Sequence, residues 1–303
     1  MTERAGGTGP GESSDPNESA EQPESRERSE SSAPASSAED PVTRYRALVS
    51  YDGSRFHGFQ IQPNVRTVQG EIQRVLRELT GNPVKSAGAG RTDTGVHALG
   101  QGLTFEVETP IPVERLEGIL NSRLSSDVRL HRLEVAPPDF HARFSACSRE
   151  YWYFLGRDRS PFVLRYAHVP NEWPDLDRMN AALPPLLGEH DFRALSAEPD
   201  EPYGCSLQLA EWVPSRLGCV FRVRSDRFLY RMVRFLVGAS LAVGTGKRPV
   251  EWMGELLESR DRRHAAPPAP PQGLFFAAVG YDPPWPDGPL PLVRAFDAPS
   301  NVE

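Results

Sequence analysis

Polar and apolar residues alternate from Arg44 to Tyr51 and the run ends at Asp52-Gly53, so the spacing predicts a strand delivered into a tight turn. Ser54 to Arg66 reads as a polar loop carrying Phe56, Phe59, Gln60 and Gln62. The period then changes: Val68, Ile72, Val75, Leu76 and Leu79 share one helical face, with Thr67 as N-cap and Gly81 as the stop. A short strand near Val84 to Gly88 enters a glycine-framed loop, and Gln101 to Glu108 leaves it as another alternating strand. Pro112 opens a second helix with Val113, Leu116, Ile119, Leu120 and Leu124 on its apolar side, after which Asp127 to Val135 alternates again.

The later part of the chain repeats this order in different letters. Glu150 to Leu155 reads as an aromatic strand, Asp175 to Leu187 as a helix broken near Pro184-Pro185, and Leu207 to Val213 with Val220 to Ser225 as a strand pair. Arg227 to Val243 and Val250 to Ser259 have helical periods, and Leu274 to Tyr281 is a last strand. Each half approximates strand-helix-strand-strand-helix-strand, which predicts an α+β fold with helices against an antiparallel sheet. The halves fall at 43–145 and 146–282, and 283–303 is a Pro-rich tail.

Composition sets the first 42 residues apart. They are Ser, Glu, Pro, Gly and Ala with almost nothing apolar, a composition that cannot offset its own ordering entropy, so a disordered acidic leader is expected. The leader holds ten acids against three arginines, a net charge of −7, which is the charge of the whole chain; the remainder is neutral. Low overall charge balance therefore does not argue against a nucleic-acid partner for the folded part. No secretory signal opens the chain, and the longest apolar run, Phe235 to Val243, is too short to span a bilayer. Three unpatterned cysteines, Cys147, Cys205 and Cys219, suggest reduced thiols in a cytoplasm.

Candidate chemistry concentrates in Gly90-Arg91-Thr92-Asp93-Thr94-Gly95-Val96-His97-Ala98, where one acid is framed by glycines, hydroxyls and a guanidinium. A nucleotide-phosphate loop is excluded by spacing, since neither a dinucleotide fingerprint nor a Lys-Ser/Thr ending is present. A glycosidase pair would need a second nearby acid. A metal site would need clustered ligands, and the seven histidines are scattered; His97 and His141 read as hydrogen-bonded structural residues. What remains is a lone carboxylate with basic and aromatic help. Phe140-His141-Ala142-Arg143-Phe144, followed by Arg149, Tyr151 and Tyr153, mixes cationic forks with stacking planes suited to unstacked bases, although alternating aromatics in a strand usually belong to a core. Arg227, Arg231 and Arg234 lie at helical spacing, usually a solvated row, yet the apolar neighbours of Arg234 imply partial burial and hence a carboxylate partner.

These residues resemble the bacterial tRNA pseudouridine synthase A family. The resemblance is carried in order by Tyr51 to Ser54 with Phe56, Gly58, Gln60 and Gln62; Thr67 to Gln69; Gly90 to Ala98; Phe140 to Ser145 with Arg149 and Tyr151; Gly188 to Phe192; Met232 to Arg234 with Gly238; and Gly273-Leu274. It spans about Tyr45 to Tyr281. It implies the pseudouridine synthase fold, two split halves joined into a mainly antiparallel central sheet with helices outside. It also implies a cofactor-free and metal-free homodimer that isomerises uridine to pseudouridine at positions 38, 39 and 40 of the tRNA anticodon stem-loop. By the same resemblance Asp93 is catalytic and can attack the ribose or the base, or stabilise charge as the glycosidic bond breaks. Tyr151 would stack on the uracil and help remove the C5 proton, and Arg234 would pair with Asp93. Arg91 would hold or replace the flipped base, and Phe140, His141, Ala142, Arg143 and Phe144 match a tRNA-contacting segment. The chain departs from the family at Tyr203 to Ser206 and at Phe235. An RNA-binding protein of the same fold without catalysis is the alternative, and a nucleoside hydrolase, which would want a second acid or a metal, the third.

Overall fold

The computed structural model describes residues 42–198 and 200–285. The acidic leader, except its last residue, and the Pro-rich tail beyond residue 285 lie outside the described residues. In chain order the elements are β1 Thr43–Tyr51, α1 Val68–Thr80, β2 Ser86–Gly88, β3 His97–Val107, α2 Val113–Arg123, β4 Val128–Val135, β5 Ala146–Gly156, α3 Pro161–Tyr166, α4 Leu176–Ala181, β6 Gly188–Asp191, β7 Gly204–Ser215, β8 Gly218–Ser225, α5 Met232–Gly244, α6 Trp252–Ser259 and β9 Leu274–Tyr281.

Local chemistry sets several of these limits. The Thr67 hydroxyl accepts from the Gly70 amide at the start of α1, and Gly81, left-handed at φ 77°, donates back to the Arg77 carbonyl at its end. A side-chain cap of this kind stabilises a helix by about 1 kcal/mol. Val68, Ile72, Val75 and Leu76 form its buried stripe. β3 starts at His97, four residues before alternation predicts, because all but one of its positions are buried and no polar face announces it. The helix expected from Arg227 starts only at Met232. The Asp226 carboxylate accepts from the Ser206 and Arg227 amides, and Arg231 turns left-handed at φ 59°, so the segment between is a loop. α4 stops at Ala181 and a single 3-10 turn, Pro184–Leu186, follows, since prolines offer no amide to continue it. α3 and β6 carry no apolar periodicity and are not legible in the pattern.

The strands form one sheet ordered β4-β1-β3-β9-β5-β8-β7-β6, with β2 on β3. β3 and β9 run parallel, His97 opposite Phe275 and Ala98 opposite Phe276, and the remaining strand pairs are antiparallel. β1 lies between β3 and β4 as β5 lies between β8 and β9, so the fold is the expected α+β arrangement of two repeated halves in a mainly antiparallel sheet. The two halves do not pair through their earlier strands. β9, the last strand among the described residues, is the joint between them, and the glycine-framed loop enters β3 at that seam.

Candidate active site

The loop that carries Asp93 is pinned from below by a buried relay of hydrogen bonds. Gln101 Oε1 accepts from the Gly90 amide at 3.0 Å, Gln101 Nε2 donates to the Tyr51 hydroxyl at 3.0 Å, and that hydroxyl pairs with Thr92 Oγ1 at 2.8 Å. From the side, Phe59 N donates to Thr92 O at 3.1 Å, while Gly95 N donates to Phe56 O at 3.4 Å. The glycines of the preceding loop are required by proximity. A Cβ on Gly53 would stand 1.9 Å from Val96 O, and one on Gly58, itself at φ 90°, 2.6 Å from Thr92 O. His97 completes the support: it is 1% exposed, accepts from the Gly53 amide at 3.1 Å and stacks on Phe275 with ring centroids 4.6 Å apart. Burial lowers its pKa to about 4, so the ring is neutral and its 3.3 Å approach to Asp52 is not an ion pair.

Asp93 is met at the tip by Arg234. The guanidinium donates through Nη1 to Asp93 Oδ2 at 2.9 Å and through Nε to Ala269 O at 2.7 Å, while the Arg234 carbonyl accepts from Ala269 N at 2.9 Å. Arg234 is thus held at both ends and only 13% exposed at its side chain. Arg231 approaches the same oxygen, its Nε at 3.7 Å. Both cations gather on Oδ2. Among the described residues Oδ1 makes no hydrogen bond, which leaves that oxygen free for an incoming atom.

Tyr151, on β5, is edge-on to Phe276 and Phe228 with centroids 4.9 and 5.0 Å away. Burial pushes its phenol well above the ordinary tyrosine range, the Asp93 charge adds to this and Arg149 opposes it. It is therefore a neutral O–H group at physiological pH, and among the described residues that hydroxyl is unbonded. Arg149 donates to the carbonyls of Ala89, Ala146, Asp226 and Arg143, and so ties the base of the Asp93 loop to two other walls.

Asp93, Tyr151 and Arg234 line one cleft of about 740 Å³, together with Arg91, Arg143 and Phe144. Phe144 is 77% exposed. The rest of the Phe140 to Phe144 segment lies behind this rim. Phe140 is buried against Tyr281 and Trp285, and Ala142 is fixed by Thr104 Oγ1 and the Tyr281 hydroxyl. His141 Nδ1 accepts from the Arg143 amide at 3.1 Å and its ring lies 4.4 Å from that of Phe144, so it shapes the turn that presents both. The sequence marks Arg149 as a cation beside the aromatic strand and as part of the resemblance, and Arg231 as one of a row, without a role for either; Phe228 and Tyr230, which also line the cleft, were missed. Glu198, Asp200 and Glu201 form an acidic stretch of the same rim. Among the described residues no group of three or more His, Cys, Asp or Glu side chains is arranged to hold a metal ion.

The chain is of the pseudouridine synthase class, and the cleft with its Asp93–Arg234 pair lies on the mainly antiparallel sheet of that fold. Within that class the chain belongs to the tRNA pseudouridine synthase family, whose sequence profile matches residues 47–145 and 182–282. It is 44% identical over 236 residues to tRNA pseudouridine synthase A of Chlorobaculum tepidum, covering 77% of this chain and 96% of that one. The same enzyme of Leuconostoc mesenteroides is 38% identical over 256 residues, covering 80% of this chain and 100% of that one. That of Paraburkholderia xenovorans is 43% identical over 238 residues, covering 77% and 88%.

Proposed function

We propose that this chain isomerises uridine to pseudouridine at positions 38, 39 and 40 in the anticodon stem-loop of tRNA, with Asp93 as the catalytic carboxylate. Membership of the family supports the reaction and the tRNA substrate. The observation that carries the residue assignment is the 2.9 Å pair between Asp93 and Arg234 in the cleft that also holds Tyr151. In the reaction the bond from N1 to C1′ of the ribose breaks, the uracil turns, and C5 bonds to C1′. C5 then loses a proton and N1 gains one. Asp93 meets the nucleoside through Oδ1, the oxygen its arginines leave free, and attacks the ribose or the base, or stabilises the charge of the broken bond. Arg234 holds the carboxylate in place through its 2.9 Å hydrogen bond to Oδ2. Tyr151 stacks on the uracil and helps take the C5 proton; because the phenol is neutral it passes its own proton on as it does so, and N1, which gains one in the reaction, is the final acceptor.

Arg91 holds or replaces the extruded base, and Arg143 with Phe144 grips the RNA, with Phe140, His141 and Ala142 bracing that turn. We place the protein in the cytoplasm as a homodimer: three unpaired cysteines support the first, and family resemblance the second. Among the described residues no helix is long and apolar enough to cross a membrane.

Tritium release from C5-labelled uridine in tRNA tests the assignment. The wild type should release tritium stoichiometrically with pseudouridine, and Asp93→Asn should fall by at least about a thousand-fold while binding tRNA. Release of tritium by a fully active Asp93→Asn variant would falsify the role of Asp93. A wild type that binds tRNA and forms no pseudouridine would identify a binding protein instead.

A further inference from the structure

Arg231 occupies a backbone position that suits it poorly. It stands immediately before α5 at φ 59°, ψ 10°, a left-handed conformation that glycine and asparagine adopt at less cost, and its side chain does not cap the helix. The chain carries that strain without a local return, and such outliers gather where a side chain must be aimed. Here the side chain is aimed at Asp93, its Nε 3.7 Å from Oδ2, yet that oxygen already has a hydrogen bond from Arg234 at 2.9 Å. Among the described residues the Arg231 guanidinium makes no hydrogen bond. It lies over the Tyr230 ring, 4.8 Å from its centroid, and its side chain is 42% exposed against 13% for Arg234. One arginine is locked to the carboxylate and the other only loosely attracted to it.

We propose that Arg231 is a positioning residue for the phosphate beside the target uridine, released from Asp93 when that phosphate arrives. The inference rests on the proposed function and adds to it a recognition step. A planar fork with uncommitted N–H groups binds a phosphate through two parallel bonds, which a singly occupied carboxylate oxygen at 3.7 Å does not match. Tyr230 supplies the surface along which the guanidinium turns. Moving Arg231 away leaves Asp93 with Arg234 alone, so its negative charge is less screened when the nucleoside is in place. Phosphate binding and exposure of the carboxylate are thereby the same event.

The test is a cycle of one protein change and one substrate change. Arg231→Asn keeps a residue that tolerates the left-handed conformation, and methylphosphonate linkages, neutral at phosphorus, replace the phosphates on either side of the target uridine in a tRNA anticodon arm. With the full-length protein, each change alone should lower kcat/KM about ten-fold, and for one of the two linkages both together should cost no more than one alone. Arg231→Asn should also reduce the slope of log affinity against log salt by about 1 and leave the thermal midpoint unchanged or raised. Additive losses at both linkages would overturn the proposal, as would an unchanged salt slope; either would mean that Arg231 only shapes the loop. Affinity is measured directly in the same cycle, so a wild type that makes no pseudouridine would defeat the functional reading while the binding cycle still decides the contact.

Discussion

Replacing Tyr51 by Phe keeps the ring, with its packing 6.2 Å from Phe59, and deletes one oxygen. That oxygen is the middle link between Thr92 Oγ1 at 2.8 Å and Gln101 Nε2 at 3.0 Å, and none of the three residues is more than 8% exposed. Each buried group left without a partner costs about 1–3 kcal/mol, and the Thr92 hydroxyl can still rotate, so a total near 2 kcal/mol is expected. For a protein of this size that lowers the thermal midpoint by about 5 °C. The effect on rate should be larger than that on stability suggests. Thr92 adjoins Asp93, and Gln101 holds the other end of the same loop through the Gly90 amide. Slack of about 1 Å at a reacting carboxylate costs about a hundred-fold. Tritium release with enzyme in excess over tRNA reads the chemical step, and direct titration reads tRNA affinity. The rate should fall by about ten- to a hundred-fold while affinity stays within about two-fold. A variant with the expected loss of stability and an unchanged chemical step would refute the argument that this relay sets the position of Asp93.

Arg143→Ala should weaken tRNA binding and flatten its dependence on salt by about one counterion, measured by titration at several salt concentrations; an unchanged slope would count against a phosphate contact. His97 gives a dependence on pH. Its folded pKa, about 4 against an ordinary 6.5, means that the unfolded chain takes up a proton the folded chain refuses, so stability falls as pH drops from 6.5 to 4. Full protonation corresponds to about 3 kcal/mol. Burial lowers His131, His141 and His168 in the same direction, so the comparison is with His97→Gln, whose urea midpoint should depend less steeply on pH in that window. Parallel slopes for the two proteins would show that His97 carries none of it. Asp52 does not confuse the reading: burial opposes its ionisation, but hydrogen bonds led by Ser54 hold it at about 2, so its contribution is lost only as pH falls below 3.8.

Much of this architecture was legible because local signals agreed with the final packing. Thr67 and Gly81 bracket α1 as their chemistry requires, and the alternation in β1 survives because its polar positions face a less crowded side. Legibility failed where burial erased contrast. β3 is covered on both faces, so its first four residues carry no alternation. It failed again where a side chain bonded to distant backbone. The loop before α5 depends on Asp226 reaching Ser206, and the walls of the cleft depend on Arg149 reaching four carbonyls, partnerships that no local period encodes. For the site, the motif around Asp93 and the apolar neighbours of Arg234 indicated a carboxylate and a buried guanidinium, and the structure places them in one ion pair. The Tyr51, Thr92 and Gln101 relay was not foreseen, because three ordinary polar residues become a unit only when β1, the loop and β3 are brought together.

The position of β9 has a consequence for biosynthesis. Asp93, Tyr151 and Arg234 have all been synthesised once residue 234 is added, yet the strand that joins the two halves runs from Leu274 to Tyr281 and is translated later. Until then the nascent chain carries two half-sheets with facing unpaired edges, exposed to pairing with neighbours. A message cut short just before Leu274 would therefore yield a polypeptide that carries Asp93, Tyr151 and Arg234 and lacks the joint between its halves.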